Sequence, residues 1–125
     1  MSFSVHSVST RQAFQKNIIA GIATYWEIAP GIEFCLRREP HSVGLALQVQ
    51  SQALGVNQLQ RALERRFAQP SDYAQLFLFL DPQRALVVWQ ALPEAPISSE
   101  LLDEIQSRQL SLLGLEDLDD YCVTY

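Results

Sequence analysis

The chain has 125 residues, 48% of them hydrophobic and 18% charged, with six prolines and five glycines. This composition excludes a disordered segment, a collagenous rod and a coiled coil, and it fits one domain over residues 1–125 with an apolar core that needs no metal or disulfide staple. The formal charge of −5 is uneven: residues 1–62 carry five basic and three acidic side chains, residues 63–125 four basic and eleven acidic. With one lysine, and no basic grouping denser than Arg37-Arg38 or Arg65-Arg66, the chain lacks the footprint of a nucleic-acid binder.

Residues 1–9 show no periodicity and read as a flexible N-terminus, without the basic and apolar regions of a secretory leader. Ser9 with Gln12 has the form of a capping box, and Phe14, Ile18, Ile22 and Tyr25-Trp26 follow at helical spacing. The spacing predicts a first helix from Thr10 to Trp26, stopped by Pro30-Gly31. The period then changes. Ile32, Phe34 and Leu36 alternate with Glu33, Cys35 and Arg37, and Val43, Leu45, Leu47 and Val49 alternate with smaller or polar residues. These are two strands joined at Glu39-Pro40-His41, antiparallel because the connection is short, with the first helix as their nearest cover. Ser51 to Val56 makes only a poor further strand.

Asn57 with Gln60 repeats the capping-box pattern, and Leu59, Leu63 and Phe67 mark one stripe of a second helix that ends before Pro70. Leu76 to Leu80 and Leu86 to Trp89 are strands with both faces apolar, separated by Asp81-Pro82-Gln83-Arg84. Such strands are central, covered on both sides, or paired with another subunit. A third helix opens at Ser98 or Ser99, buries Leu101, Leu102, Ile105, Gln109, Leu112 and Leu113, and ends at Gly114. The order is α-β-β-α-β-β-α, an α+β antiparallel sheet with a folded core over 10–114 and an acidic, weakly ordered tail over 115–125.

Chemistry is sparse along this framework. His6 and His41 have no partner at useful spacing, the glycines are scattered singly, and the acids at 116–120 lack the register of a calcium loop. Cys35 and Cys122 belong to no metal-ligand pattern and read as free thiols of a cytoplasmic protein. No apolar run is long enough to cross a bilayer. The expectation is a non-enzyme with no catalytic residues, no cofactor and no metal. What remains is a heavy supply of aromatics, most of which read as ordinary core residues; the sharper reading is that the strand-four region or the second helix seals a homodimer and leaves an apolar patch for a peptide.

Leu76–Leu80, Asp81, Leu86–Ala91, Leu92-Pro93 and the leucine-rich stretch from Ser98 to Leu113 resemble the closing strand, acidic turn, strand, Leu-Pro and helix of the class I chaperones of bacterial type III secretion. The resemblance covers roughly residues 10–115 and implies a small dimeric protein that holds the extended N-terminal segment of a secreted effector or gatekeeper, soluble and ready for export. The dimer it implies is a homodimer or a heterodimer with a second small chaperone. The faces then assign Trp26, Ile32, Phe34, Val43 and Leu45 to a client groove and Leu59, Leu63, Phe67 and Trp89 to the dimer interface. The alternative is a regulatory module that uses the same apolar surface to sequester a folded partner, such as a transcription regulator.

Overall fold

A computed structural model describes residues 6–39 and 41–122, and for 120–122 only the backbone. Thr10 caps the first helix: its hydroxyl accepts from the Ala13 N–H at 3.1 Å, one residue later than the box at Ser9 suggests. Helix α1 (Arg11–Ile19) ends well short of Trp26, because Gly21 turns the chain at φ +75° and Thr24–Ala29 forms a strand, β2. Ile22 and Tyr25-Trp26 continue the helical spacing of Phe14 and Ile18, yet Thr24 and Trp26 also face inward with Tyr25 and Glu27 outward. Both periods fit this stretch; a glycine, a β-branched residue and two aromatics favour the strand.

A short strand β1 (His6–Val8) pairs parallel with β2 where a loose end is expected, and it makes the sheet mixed rather than purely antiparallel. Residues 1–5 of that expected flexible end lie outside the described residues. Strands β3 (Ile32–Glu39) and β4 (Ser42–Val49) form the expected antiparallel hairpin, with Phe34 opposite Leu47. Helix α2 (Gln58–Ala68) begins without the second capping box: Asn57 takes a left-handed φ of 59° and makes no cap bond, while Gln58 accepts from the Gly55 N–H and donates to the Leu113 carbonyl, each at 2.9 Å. A single turn, α3 (Pro70–Tyr73), leads into strands β5 (Phe77–Leu80) and β6 (Leu86–Ala91). The Asp81 carboxylate organises their turn by accepting from the Gln83 and Ala85 N–H groups, both at 2.9 Å.

Helix α4 (Ser99–Leu112) starts on Ser98, whose hydroxyl accepts from the Leu101 N–H at 3.2 Å. Beyond it, Glu116–Cys122 winds into 3₁₀ turns. Asp119 there pairs with Arg11 at 2.6 Å and accepts from the Ser107 hydroxyl at 2.9 Å. This stretch is tied to α1 and α4, unlike the weakly ordered tail that its acidity suggests; residues 123–125 of that tail lie outside the described residues.

The fold is α+β: a six-stranded sheet in the order β1-β2-β3-β4-β6-β5 with helices packed on one face. Insertion of β6 between β4 and β5 explains why Leu86–Trp89 is apolar on both faces. The core is built from inward-facing strand residues and the helices above them. Phe14, Trp26 and Phe34 form an aromatic trio with centroids 5.9–6.1 Å apart, and Leu45, Leu47, Leu86 and Val88 lie under Leu102, Ile105 and Leu110. Two buried glutamines of α4 tie it to its neighbours: Gln106 accepts from Gln15 of α1 at 2.8 Å, and Gln109 donates to the sheet carbonyls of Leu45 and Val88.

Candidate protein-binding surfaces

Helix α2 sits on the core through one small residue, the fully buried Ala62, with Leu59 half-buried beside it. The four-residue spacing that places Leu59 at the core also carries Leu63 and Phe67 up the same side of the helix and away from it. Leu63 is 50% exposed and Phe67 89% exposed. Together with Gln60 and Glu64 these three residues line one shallow apolar depression. Fully burying a side chain of this kind stabilises by about 1.5–3 kcal/mol, so a contiguous Leu-Leu-Phe stripe left in water is the chemistry of a contact surface.

Arginine side chains fix the attitude of this helix. Arg65 donates to the Leu112 carbonyl at the C-terminal end of α4 at 3.0 Å, and Arg66 donates to the Leu76 carbonyl at 3.1 Å. The cation at the end of α4 also complements its dipole. Of the two arginine pairs in the sequence, Arg37 is likewise engaged, with Glu39 at 2.8 Å, Asp81 at 3.9 Å and the Phe79 ring at 5.3 Å. Arg38 lines a groove beside the β3–β4 turn.

The residues assigned to a client groove lie elsewhere than expected. Trp26, Phe34 and Leu45 are within the core and Ile32 is at its margin, all buried by this chain's own helices. The groove assignment is corrected for these four, because alternation along β2, β3 and β4 turns them toward α1 and α4 rather than toward solvent. Val43 alone is accessible. It lines a groove of about 810 Å³ between the end of α1, the β3–β4 turn and residues 92–97, along with Ile19, Arg38 and His41. Trp89 does not share a surface with Leu59, Leu63 and Phe67 either. It is 7% exposed on the opposite face of the sheet, where its indole N–H donates to the Arg37 carbonyl at 3.0 Å.

No group of three metal-ligating side chains occurs among the described residues. Burial, and secondarily the charge of Glu33, push the Cys35 thiol up to about 12 against the opposing effect of Arg37, so it stays protonated and weakly nucleophilic at neutral pH. The Cys122 side chain lies outside the described residues. No helix is long and apolar enough to cross a membrane among the described residues. The recurring feature is apolar side chains presented on rigid elements.

Against known sequences, the chain matches the family described as HrpV-like over residues 1–117. The chain belongs to the HrpV-like family. Membership ties it to bacterial type III secretion, in agreement with the system to which the sequence pattern pointed. The family match bears out the resemblance at the level of the secretion system, and the structure bears it out at the level of an α+β, chaperone-like fold. No curated protein and no solved structure matches the chain.

Proposed function

We propose that this HrpV-like protein is a non-enzymatic regulatory component of type III secretion, working in the cytoplasm by sequestering a folded protein partner, such as a transcription regulator, on the apolar face of α2. One observation carries the reading: Leu63 and Phe67 are exposed and continue from the half-buried Leu59 as one apolar stripe on a helix that is itself anchored, whereas four of the five residues suited to an extended client are buried. A helix face has no free backbone hydrogen-bonding groups, so it recognises a folded surface through side chains rather than a strand through its backbone. Dimerisation uses the same stripe in this reading, and a second copy or a second small secretion protein competes with the folded partner for it.

The escort of an extended secreted segment is the second reading. The groove beside Val43 supports it, since it is lined by both apolar and polar residues and bordered by the 92–97 segment. Co-expression separates the two. Regulators of the same secretion system, intact and folded, are to be captured with the wild-type chain and with Leu63→Asp and Phe67→Asp. Capture lost in both variants supports sequestration by α2; capture of unfolded N-terminal segments, unchanged in the variants and lost in Val43→Asp, supports escort.

A further inference from the structure

The face of the sheet opposite the helices is a two-ended surface. Strand pairing places Tyr25, Cys35, Ala46, Trp89 and Phe77 in one row across it and Glu27, Glu33, Gln48, Val87 and Phe79 in the next. Among the described residues no helix packs on these rows, and their apolar members form a cluster of strand residues only. The β5–β6 end is aromatic: Phe77 is 57% exposed and lies 5.9 Å from Trp89, and Phe79 is half-buried. The β2–β3 end is acidic. Glu27 stands directly opposite Glu33, and neither carboxylate has an ion-pair partner among the described residues.

Like charges directly opposite one another on a sheet are destabilising. Burial, then the neighbouring Glu27, raise the Glu33 carboxyl above its ordinary value, in keeping with that repulsion. A cation laid over the pair relieves the repulsion. Arg37, on the same face, is already neutralised by Glu39 and Asp81 and held against Phe79. The surface therefore offers an uncompensated negative end and an exposed aromatic end, three strand spacings or about 14 Å apart. Strand-to-strand pairing occupies the backbone hydrogen bonds across these rows, so an occupant engages side chains, as a helix lying on a sheet does. About ten residues of helix cover that distance.

We infer that the helix-free face of the sheet, where Ala46, Val87 and Trp89 form a buried floor between the two ends, docks an amphipathic helix of a partner protein, its apolar residues against Phe77 and Phe79 and a lysine or arginine over Glu27 and Glu33. This surface is distinct from the α2 stripe and stands or falls separately from it. The probe is an 18-residue synthetic amphipathic peptide of leucine and lysine, added to the isotope-labelled full chain and followed by amide chemical-shift mapping. The expected result is shifts in β2, β3, β5 and β6, with binding weakened about tenfold in Glu27→Gln/Glu33→Gln and in Phe77→Ser. The charge-matched control Glu116→Gln/Asp117→Asn weakens it less than about threefold, as expected for charges outside the contact, and Phe67→Asp leaves it unchanged. Equal weakening in both charge variants, or shifts confined to α2, overturns the inference. Thermal melts matching wild type establish that each variant is folded.

Discussion

The two faces of the sheet are made from the same strands and much the same residue types, yet they do opposite work. On the inner face, Trp26, Phe34, Leu47 and Val88 meet helices and disappear from solvent. On the outer face, Ala46, Val87 and Trp89 are covered only by neighbouring strand side chains, with Phe77 left open at the edge. The outer cluster depends on one close approach: the Trp89 ring lies so near Gly44 that a β-carbon there meets it at 2.3 Å. A strand that is apolar on both sides thus buries one side under helices and the other under neighbouring strand side chains alone.

The strongest challenge to this contrast is truncation on each face. Phe34→Ala is expected to cost about 3–5 kcal/mol, the range for emptying a packed aromatic site. Phe79→Ala is expected to cost about 1–2 kcal/mol, because its ring is only partly removed from water. Urea denaturation of both variants checks this, and equal losses break the distinction between the faces. Gly44→Ala comes next, at about 1–3 kcal/mol, since the new methyl group displaces a ring and approaches the Gln90 carbonyl at 2.6 Å. Its signature is a red shift of tryptophan emission as Trp89 leaves its place. Arg65→Ala tests the helix layer, with an expected loss of about 1–2 kcal/mol from the bond to Leu112 and the dipole of α4.

Glu33→Gln sharpens the comparison with the smallest effect. Since folding raises the Glu33 carboxyl above its ordinary 4.5, the native state holds the proton more tightly than the unfolded one. Stability from this group is therefore present at low pH and declines as pH rises from about the ordinary value through the raised one. Glutamine lacks that decline. Melting curves from acid to neutral pH should show the variant equal to or slightly more stable than wild type at neutrality, with a flatter profile; a less stable variant at neutral pH contradicts the repulsion between Glu27 and Glu33.

Much of the architecture was legible. The β3–β4 and β5–β6 pairs, the stripe of α2 and the Ser98 cap of α4 all follow from alternation, four-residue spacing and a capping hydroxyl, signals that act within a few residues. The misread segment was 20–29, where Ile22 and Trp26 satisfy a helical and a strand period at once and Gly21 alone marks the break. Pairing of Trp26 with Phe34 in β2 and β3 places its ring against Phe14 of α1 rather than in a groove. The α2 surface was readable, because Leu63 and Phe67 lie on an otherwise polar helix. Separating Trp89 from it was not, since alternation names two faces without saying which one the helices cover. The roles of Arg65 and Arg66 depend on contacts with α4 and with Leu76, and no local pattern announces them.

The central claim is that α2 presents the partner-binding stripe, and light scattering on the chain co-purified with a folded regulator of its secretion system tests it most directly. The account predicts a complex of defined stoichiometry for the wild type and its loss in Phe67→Asp, with melting unchanged because that side chain is 89% exposed. A complex that survives Leu63→Asp/Phe67→Asp contradicts it.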